Sequence, residues 1–474
     1  KRLWPTIFAE EVGNALAAGE RGETKPIVRF VVSTHTMALA HQLDQWLERG
    51  GLTDGLAEAE ARLGAKVEPV VLPRRLVQKH VRAEETALED ARRLPALLDA
   101  AAELEDEAAA DAVRRAVRQT LAHGLPEPEH ARFRLETYYG LIMMDGDRMG
   151  AILSGDTATQ ISYLESFHPQ VRNGFEKLAA KEPLLRAYGA HRRAVSPGRH
   201  LAISAALNDF SQHVARHVVE SEHLGRLIYA GGDDVLAVLP AADLLACAAR
   251  LRHAYSGTLP EDKQTDWGAL FAARQQLHCR GGFAWLNGRL MRMMGQNATA
   301  SAGLVIAHHQ APLSAVLREL RAAEKRAKSQ GGRNAVAIQV IKRSGGAVGV
   351  VLKWADLPLL ERALDFLRDA STSRRAVYHS LVWLADLPSL HEQPEMCKRL
   401  LAYQFARQSK HGDASTLAEA LVDWALAQPG DARAHLEGLL QTAEFLAREV
   451  RSSGFASAIQ SRQATQPQPT EAAA

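Results

Sequence analysis

Two adjacent aspartates at the tip of a predicted hairpin are the residues of this chain best suited to chemistry. Residues 226–240 hold two runs of strand-forming residues that flank Gly231-Gly232-Asp233-Asp234, which is typical of a β-hairpin. Neighbouring carboxylates repel each other, so keeping both ionised favours a bound cation. The glycines let a phosphate-bearing ligand approach the backbone closely. The tip therefore predicts a Mg²⁺–nucleotide site.

A third aspartate follows a strand that we predict to lie beside this tip. The strand at 138–144 runs into Asp145-Gly146, and a βαββαβ sheet brings the end of its first strand next to the hairpin formed by its second and third strands. Mg²⁺ binds a few carboxylates together with substrate phosphate oxygens, and Mn²⁺ accepts the same ligands. Two such ions lower the pKa of an attacking 3′-hydroxyl and stabilise a leaving pyrophosphate. We expect Asp145, Asp233 and Asp234 to be catalytic and, with Gly146, to ligate the metal.

Small residues and cations near the acidic segments predict the phosphate-binding part of the site. Lys328 ends a predicted helix, and Arg333 begins the next strand after a Gly-Gly turn. Both cations suit the β- and γ-phosphates of a nucleotide. A helix C-terminus that carries cations and a glycine cap explains the same pattern, so both interpretations stay open. The remaining predicted nucleotide contacts around these segments are Asp147, Arg148, Met149, Gly150, Gly231 and Gly232.

The elements that must position these residues predict an α+β chain. From 138 to 341 the order strand, helices, hairpin, helix, strand, helix, strand predicts a ferredoxin-like core with helical insertions, whose later strands lie at 281–285, 299–308 and 335–341. Upstream we predict strands at 27–33 and 67–72, a helix at 36–48 and one or two amphipathic helices within 84–122. After residue 353 five helices follow, at 357–370, 375–385, 395–408, 415–427 and 432–451. Residues 461–474 are expected to be disordered.

Composition limits the class of protein. The 474 residues predict two to four domains, and 46% hydrophobic with 24% charged residues describes a soluble globular protein. A net charge of +2 argues against a strongly cationic, nonspecific nucleic-acid binder but permits a local basic groove. Cys247, Cys279 and Cys397 are too scattered for a disulfide framework or a Cys-x-x-Cys site, which favours a reducing cytoplasm. No apolar run reaches the ~18 residues of a membrane span, so no membrane contact is expected.

The strand-end aspartate, the Gly-Gly-Asp-Asp hairpin and the AK…GRN segment at 327–334 together resemble nucleotide-cyclase and GGDEF palm domains. The chain is more closely similar to the large palm-domain subunit of type III-B (Cmr-type) CRISPR–Cas effector complexes. The segments that carry this resemblance follow one order along the chain: FVVSTHTMALA at 30–40, YGLIMMDGDRMG at 139–150, GRHLAISAALN at 198–208, SAGLVIAHHQAP at 301–312 and AVAIQVIKRSG at 335–345.

The resemblance implies two ferredoxin-like palm domains face to face, at 1–137 and 138–350, a helical C-terminal domain at 351–460 that packs on small helical subunits, and a tail at 461–474. It also implies antiviral defence in which complementary target RNA, bound through CRISPR RNA, activates synthesis of cyclic oligoadenylate from ATP. The first palm would hold ATP without a carboxylate pair. There His35 is expected as a nucleotide contact, with a structural histidine as the alternative. Ser204 and Asn208, on one helix face, are expected to read adenine, with ordinary polar positions as the alternative.

Several departures from the family pattern shape these expectations. Family members often begin with an HD-type nuclease domain, but this chain has no His-Asp doublet, so we expect no such activity from it. We interpret the chain, which starts at Lys1 without Met, as part of a longer protein. Many members carry a four-cysteine zinc site that three cysteines cannot build, so no zinc is expected. His308 and His309 are adjacent on a predicted strand and point to opposite faces, so we interpret them as structural or interface residues.

Two alternative functions stay open. In a stand-alone diguanylate-type cyclase, an acidic residue precedes the second helix where this chain has Gly198-Arg199, which argues against guanine recognition. In a catalytically silent scaffold subunit the hairpin would merely persist, although a scaffold has no need of three clustered acids.

Overall fold

A six-stranded sheet carries both the hairpin and the strand that ends near Asp145. The computed structural model describes residues 32–51, 56–63, 67–81, 85–156, 159–258, 276–369, 371–409 and 413–450. Its strands, in chain order, are β1 Tyr138–Gly146, β2 Arg226–Gly231, β3 Asp234–Pro240, β4 His278–Arg280, β5 Phe283–Leu286, β6 Arg289–Arg292, β7 Ala300–His308, β8 Ala335–Ile341 and β9 Ala347–Lys353. The large sheet has the order β2-β3-β1-β7-β8-β9, and β4, β5 and β6 form a separate small sheet.

The first four strands of the large sheet have the arrangement of a ferredoxin-like core. β1 lies between β3 and β7 and is antiparallel to both, while β2 pairs with β3 at the edge. The resulting order β2-β3-β1-β7 confirms the predicted βαββαβ topology. β8 pairs with β7 in parallel, and β9 pairs with β8 in antiparallel and forms the other edge of the sheet.

Helices cover both faces of this sheet, which explains why β1 is apolar along nearly its whole length. The palm-region helices are α7 Met149–Ser154, α8 Pro169–Ala179, α9 Pro183–Ala190, α10 Pro197–Asp209, α11 Leu244–Ser256 and α12 Leu313–Ser329, and α10 continues through two π-helical segments, Phe210–Val214 and Val218–Glu222. Ile142 and Met144 pack on one face in the cluster that includes Leu251 of α11. Leu141 packs on the other face in the cluster that includes Leu320 of α12.

The helices before β1 are α1 Thr34–Glu48, α2 Leu56–Leu63, α3 Arg74–Lys79, α4 Glu85–Ala101, α5 Glu107–Ala122 and α6 Glu129–Arg132. They share a core of their own built around Leu43, Leu94 and Leu121. α1 also contacts the sheet directly, because Met37 is buried beside Leu141. His41 Nε2 lies 2.8 Å from Asp243 Oδ1, which joins the same helix to the residues after β3.

Five helices follow the sheet, as the sequence predicts: α13 Leu357–Arg368, α14 Arg375–Asp386, α15 Pro394–Gln408, α16 Ala414–Ala427 and α17 Ala432–Glu449. α17 packs on β9 so closely that a Cβ on Gly438 would lie 2.5 Å from the carbonyl oxygen of Gly349. None of the described helices is both long and apolar enough to cross a membrane.

The structure corrects several predicted elements. Residues 67–73 form no strand, because their backbone pairs with a helix instead: Val70 N donates to the carbonyl of Arg92 in α4. The strand predicted at 281–285 begins only at Phe283, since Gly281 and Gly282 have φ of 59° and 84° and form a turn. β9 was not predicted.

The first palm domain stays a prediction, because the described part of residues 32–137 contains helices and no strand. Within the strand predicted at 27–33, residues 27–31 lie outside the described part, and Val32 and Ser33 are not in a strand. Ser33 instead caps α1 and accepts a hydrogen bond from Thr36 N. The predicted tail at 461–474 also lies outside the described residues.

Candidate functional site

The register of the large sheet brings Asp145 beside the tip of the hairpin. In the antiparallel pairing of β1 with β3, Met144 lies opposite Val235. Asp145 and Asp234 are the next residues of the two strands along that register. Residues opposite each other on neighbouring strands share one face of the sheet. The fold therefore gathers the three predicted aspartates at one sheet end, while their catalytic role stays a prediction.

The tip is a tight turn in which glycines let neighbouring groups approach the backbone closely. Gly231 pairs with Asp234, and Gly232 has a φ of 67°, a conformation that glycine adopts without strain. A Cβ on Gly146 would lie 2.9 Å from Asp233 Oδ2. Because Gly146 has no side chain, Asp233 can pack directly against the end of β1.

Burial and repulsion disfavour the ionised forms of the hairpin carboxylates. Burial is the largest cause that raises the pKa of Asp233, and the charge of Asp234 adds to it, while backbone hydrogen bonds from Asp233 and Gly146 oppose the shift. Partial burial also raises the pKa of Asp234. Carboxylates in this situation gain from a bound cation. The oxygen-rich set therefore fits Mg²⁺ or Mn²⁺.

A fourth carboxylate and a lysine reach the same site from α12. Lys328 Nζ forms an ion pair with Asp145 and a second one, at 2.6 Å, with Glu324 Oε1. Burial, followed by the charges of Asp234 and Asp147, raises the pKa of Glu324. Glu324 therefore belongs to the acidic cluster, although sequence analysis missed it. Its position four residues before Lys328 on a helix was the available signal.

Gly303 on β7 sets the distance between α12 and the sheet. A Cβ at this position would lie 2.3 Å from the backbone nitrogen of Glu324 and 2.7 Å from the carbonyl oxygen of Leu320. Only glycine lets the helix approach so closely without displacement. This contact places Glu324 and the following turn of α12 over the end of β1.

Asp147 is a buried anchor, which corrects the prediction that it contacts the nucleotide. Asp147 is 4% exposed. Its carboxylate accepts hydrogen bonds from Thr299 Oγ1 and Ser301 Oγ, both at 2.7 Å, and from Asn334 N at 2.9 Å. Arg252 Nε donates to Asn334 Oδ1 at 2.9 Å. Both oxygens of Asp147 are thus occupied by the protein. Its carboxylate ties the end of β1 to β7 and to the start of β8.

The predicted contacts after Asp147 lie in a sharp turn into α7. Arg148 has a φ of 58° and an exposed side chain. Gly150 is also exposed, and a Cβ there would meet nothing within 4 Å. Met149 Sδ accepts a hydrogen bond from the hydroxyl of Tyr255 at 3.5 Å. These residues border the acidic strand end, and their contact with a nucleotide stays a prediction.

The turn before β8 presents a second cation. Arg333 and Asn334 have φ of 65° and 46°, a left-handed conformation that is uncommon for residues other than glycine. Two hydrogen bonds hold this turn in place: Asn334 N donates to Asp147 Oδ2, and Asn334 Oδ1 accepts from Arg252 Nε. Burial and then the charge of Arg333 lower the pKa of Lys328, so the two cations lie near each other, as joint phosphate binding requires.

The other predicted contacts lie elsewhere. Ser204 and Asn208 are exposed on α10, and their role as adenine readers stays a prediction. His35 is buried in the first turn of α1 and stacks on His309 at 3.7 Å, beyond the end of β7. That end of β7 pairs with Tyr138 at the start of β1, roughly 24 Å from Asp145 at ~3.4 Å per residue. His35 therefore lies far from the hairpin site, and its role as a nucleotide contact of the first palm domain stays a prediction.

The distances between potential metal ligands distinguish the residues around His35 from the aspartates at the hairpin. Among the residues that the structure describes, His35, Asp99 and His309 are the one group of three potential ligands whose ligand atoms all lie within 4.8 Å of one another. The aspartates at the hairpin are not drawn together to that extent, and Lys328 balances the charge of Asp145. The carboxylate of Asp145 is thus engaged by a lysine in this structure.

Comparison with known proteins identifies the part of the chain that carries this site. Residues 138–337 match the family model described as Cas10/Cmr2, second palm domain. This part of the chain is a Cas10/Cmr2 palm domain. Over 251 residues the chain is 31% identical to the CRISPR system Cmr subunit Cmr2 of Pyrococcus furiosus, a stretch that covers 52% of this chain and 23% of that protein.

Two solved structures share the fold of this palm-domain chain. The chain matches a type III-B Cmr-beta structure in the apo state with a TM-score of 0.51 and 14% identity, covering 88% of this chain and 47% of that one. It matches a Cmr-beta structure bound to cognate target RNA with a TM-score of 0.51 and 15% identity, covering 80% and 43%. The chain thus spans about a quarter of its curated relative and under half of these structural ones.

Proposed function

We propose that this chain is the catalytic part of the large subunit of a type III CRISPR effector complex, and that it joins ATP molecules into cyclic oligoadenylate. The observation that carries the proposal is the pairing of β1 with β3, which sets Met144 opposite Val235 beside Asp145 and Asp234, together with the ion pair between Lys328 and Asp145. Carboxylates for metal ions and a cation for phosphates are the groups that nucleotidyl transfer needs. The palm-domain match supports the same reaction class.

Each residue of the site has a part in this proposal. Asp145, Asp233 and Asp234, with the backbone of Gly146, would hold Mg²⁺ or Mn²⁺, which when bound lowers the pKa of the attacking hydroxyl and stabilises the leaving group. Glu324 adds negative charge beside them and orients Lys328 through its ion pair. Arg148, Gly150, Gly231 and Gly232 would line the space for the triphosphate.

Lys328 couples substrate binding to the carboxylates. In this structure its ammonium group forms ion pairs with both Asp145 and Glu324. A triphosphate offers it an alternative anion beside Arg333. Transfer of Lys328 from Asp145 to phosphate frees that carboxylate at the moment when the nucleotide arrives. Nucleotide and cation are thus expected to bind cooperatively.

The partners in this proposal follow from the relatives. One relative is named a subunit of a Cmr system, and one structural match contains cognate target RNA. We infer that this chain works with other Cmr-type subunits, CRISPR RNA and complementary target RNA in the cytoplasm, and that RNA binding switches synthesis on. A diguanylate-type cyclase and a silent scaffold remain the alternatives that the test below separates.

The test is to incubate the assembled complex with ATP, Mg²⁺ and complementary target RNA and to identify products by mass spectrometry. We expect cyclic oligoadenylate that depends on target RNA, and a fall of at least ~100-fold in the Asp233→Asn/Asp234→Asn variant, the scale seen when a group that stabilises transition-state charge is removed. Asp111→Asn, which alters an exposed carboxylate on α5, is the matched control and should leave synthesis unchanged.

Other outcomes would decide against the proposal. Guanine-containing products would favour the cyclase. A complex that assembles on target RNA but yields no product would favour the scaffold. Undiminished synthesis by Asp233→Asn/Asp234→Asn would show that the hairpin carboxylates are not the catalytic ones.

A further inference from the structure

A second cluster of potential metal ligands lies at the end of the sheet opposite to the hairpin. His35 on α1, Asp99 on α4 and His309 just after β7 come from three elements that are distant in sequence, yet their ligand atoms all lie within 4.8 Å of one another. His35 Nδ1 is 2.7 Å from Asp99 Oδ1. We propose that these three side chains bind a divalent transition metal of the zinc class.

The ligand types determine the class of metal. Two imidazoles and one carboxylate form a three-ligand zinc set that leaves a fourth position for water. Mg²⁺ prefers oxygen ligands, and imidazole suits zinc and its neighbours in the first transition row. The side chain of Asp99 is 46% exposed while that of His35 is 7% exposed, so the cluster has one buried anchor and one side open to solvent.

The geometry is close to what such a metal needs. The rings of His35 and His309 are stacked with centroids 3.7 Å apart and planes at 17°. Two ligands on a tetrahedral zinc with ~2.0–2.1 Å bonds lie about 3.4 Å apart. Metal binding therefore requires the two rings to splay so that their lone pairs converge, and Asp99 to withdraw from His35 by less than about 1 Å. The exposure of Asp99 gives it that freedom.

The backbone around the cluster is held in place independently of any metal. Thr34 Oγ1 donates a hydrogen bond to the carbonyl oxygen of His309 at 3.1 Å, which ties the start of α1 to the end of β7. His309 N donates to the carbonyl of Thr137 at 2.9 Å. The neighbouring His308 Nδ1 accepts a hydrogen bond from Gln310 N at 3.2 Å. Of the two histidines, His309 is the one with a ligand atom within 4.8 Å of those of His35 and Asp99.

Two other His–Asp pairs show what a purely structural pair looks like in this chain. His41 bonds to Asp243, which also accepts a hydrogen bond from Leu224 N. The corresponding partner of His80 is Asp44, which is also paired with Lys79. Within the described residues, neither pair belongs to a group of three ligands at metal distance. The His35 cluster differs because a second imidazole completes it.

A metal at this position would fasten the helices before β1 to the palm sheet. The sequence-based expectation of no zinc rests on the cysteines alone. Histidine and aspartate ligands contributed by three separate elements lie outside that reasoning. The proposal therefore departs from that expectation on the ground of the fold and not of a cysteine motif.

The test is zinc binding by the full chain, stripped with EDTA and held in millimolar Mg²⁺ so that the hairpin carboxylates are occupied. Titration calorimetry with Zn²⁺ is expected to show one site per chain. His309→Gln and Asp99→Asn should each weaken Zn²⁺ binding more than about 100-fold. Loss of a residue that only hydrogen-bonds to a metal ligand already weakens binding ~10–100-fold, and these two residues are proposed as ligands themselves. His41→Gln, which breaks a two-member pair, is the matched control and should bind Zn²⁺ like the wild type.

Substitution by Co²⁺ gives a second readout, because visible absorption reports nitrogen ligation in a tetrahedral site. The wild-type chain should show this band, and Asp99→Asn, whose half-exposed side chain leaves the core intact, should lose or shift it. The absence of a saturable Zn²⁺ site in the wild type would overturn the proposal. Equal Zn²⁺ binding by wild type, His309→Gln and Asp99→Asn would place the metal elsewhere and overturn it as well.

Discussion

The two ends of strand β1 differ in how their chemistry is assembled. At the Asp145 end, the aspartates come from the end of β1, the hairpin turn and the start of β3, next to the paired residues Met144 and Val235. At the Tyr138 end, His35, Asp99 and His309 come from two helices and the residue after β7. Carboxylates alone are the candidate ligands at the Asp145 end, whereas two imidazoles and one carboxylate meet at the other. One sheet thus carries two different candidate cation sites, one positioned by strand pairing and the other by helix packing.

The largest effect that distinguishes the ends is expected at Asp147. In Asp147→Ala, the hydroxyls of Thr299 and Ser301 and the N–H of Asn334 lose their acceptor. Removing one member of a buried, charged network costs about 3–5 kcal/mol. We expect a loss of this size in the free energy of unfolding of the palm domain, measured by urea denaturation, together with loss of nucleotide synthesis.

Thr299→Val is the control for Asp147→Ala, because it removes a single hydrogen bond and should cost about 1 kcal/mol. A loss below about 1 kcal/mol in Asp147→Ala would show that the network does not organise the hairpin end. Zn²⁺ binding at the His35 end should survive in whatever fraction of either variant stays folded.

A smaller effect is expected at Gly303, which positions α12. In Gly303→Ala the new methyl group would meet the backbone of Glu324, and such overpacking costs about 1–3 kcal/mol. The displaced helix should also raise the KM for ATP, because Lys328 moves with it. Thermal melting and steady-state kinetics measure the two effects.

Gly174→Ala in α8 is the matched control for Gly303→Ala, since a Cβ there meets nothing within 4 Å. Alanine is the better helix former by roughly 1 kcal/mol, so this variant should be neutral or more stable. Equal behaviour of the two variants would contradict the account of how α12 is placed.

The hairpin end was predictable because strand alternation, the Gly-Gly-Asp-Asp turn and the order of elements are all visible in sequence. Glu324 was missed because its contribution depends on how closely α12 packs over Gly303. Asp147 was misassigned because only burial distinguishes it from Asp145 two residues earlier.

The grouping of ligands around His35 could not be predicted from the sequence, because it depends on how α1 and α4 pack against the sheet. Sequence reasoning placed His308 and His309 on opposite faces of a strand. In the structure β7 ends at His308 and the backbone turns, so His309 stacks on His35. The prediction of a strand at 67–72 was wrong for a related reason, because this segment contacts α4 instead of pairing with a strand.

The smallest expected effect is the pH dependence of the contact between α1 and the palm. Burial lowers the pKa of His41, but Asp243, with help from Glu136 and Asp44, outweighs burial and raises it above 6.5. The stability that charged His41 contributes is therefore fully present below pH 6.5 and is lost as pH rises through the raised pKa. Burial raises the pKa of Asp243, but the charge of His41 and the hydrogen bond with it outweigh burial and lower this pKa to about 2, so Asp243 stays ionised over this range.

The difference in melting temperature between the wild type and His41→Gln should accordingly be larger at pH 6 than at pH 9. A difference that does not change between these values would show that His41 is not charged in the folded chain. His80→Gln tests whether the effect is particular to the contact between α1 and the palm, because His80 pairs within the helices before β1.

The most direct test of the account is anomalous diffraction at the manganese edge from crystals grown with Mn²⁺ and a non-hydrolysable ATP analogue. We predict a peak between Asp145 and Asp234, with Lys328 moved from Asp145 to the phosphates. A peak elsewhere, with the ion pair between Lys328 and Asp145 intact, would contradict the assignment of the hairpin end as the metal–nucleotide site.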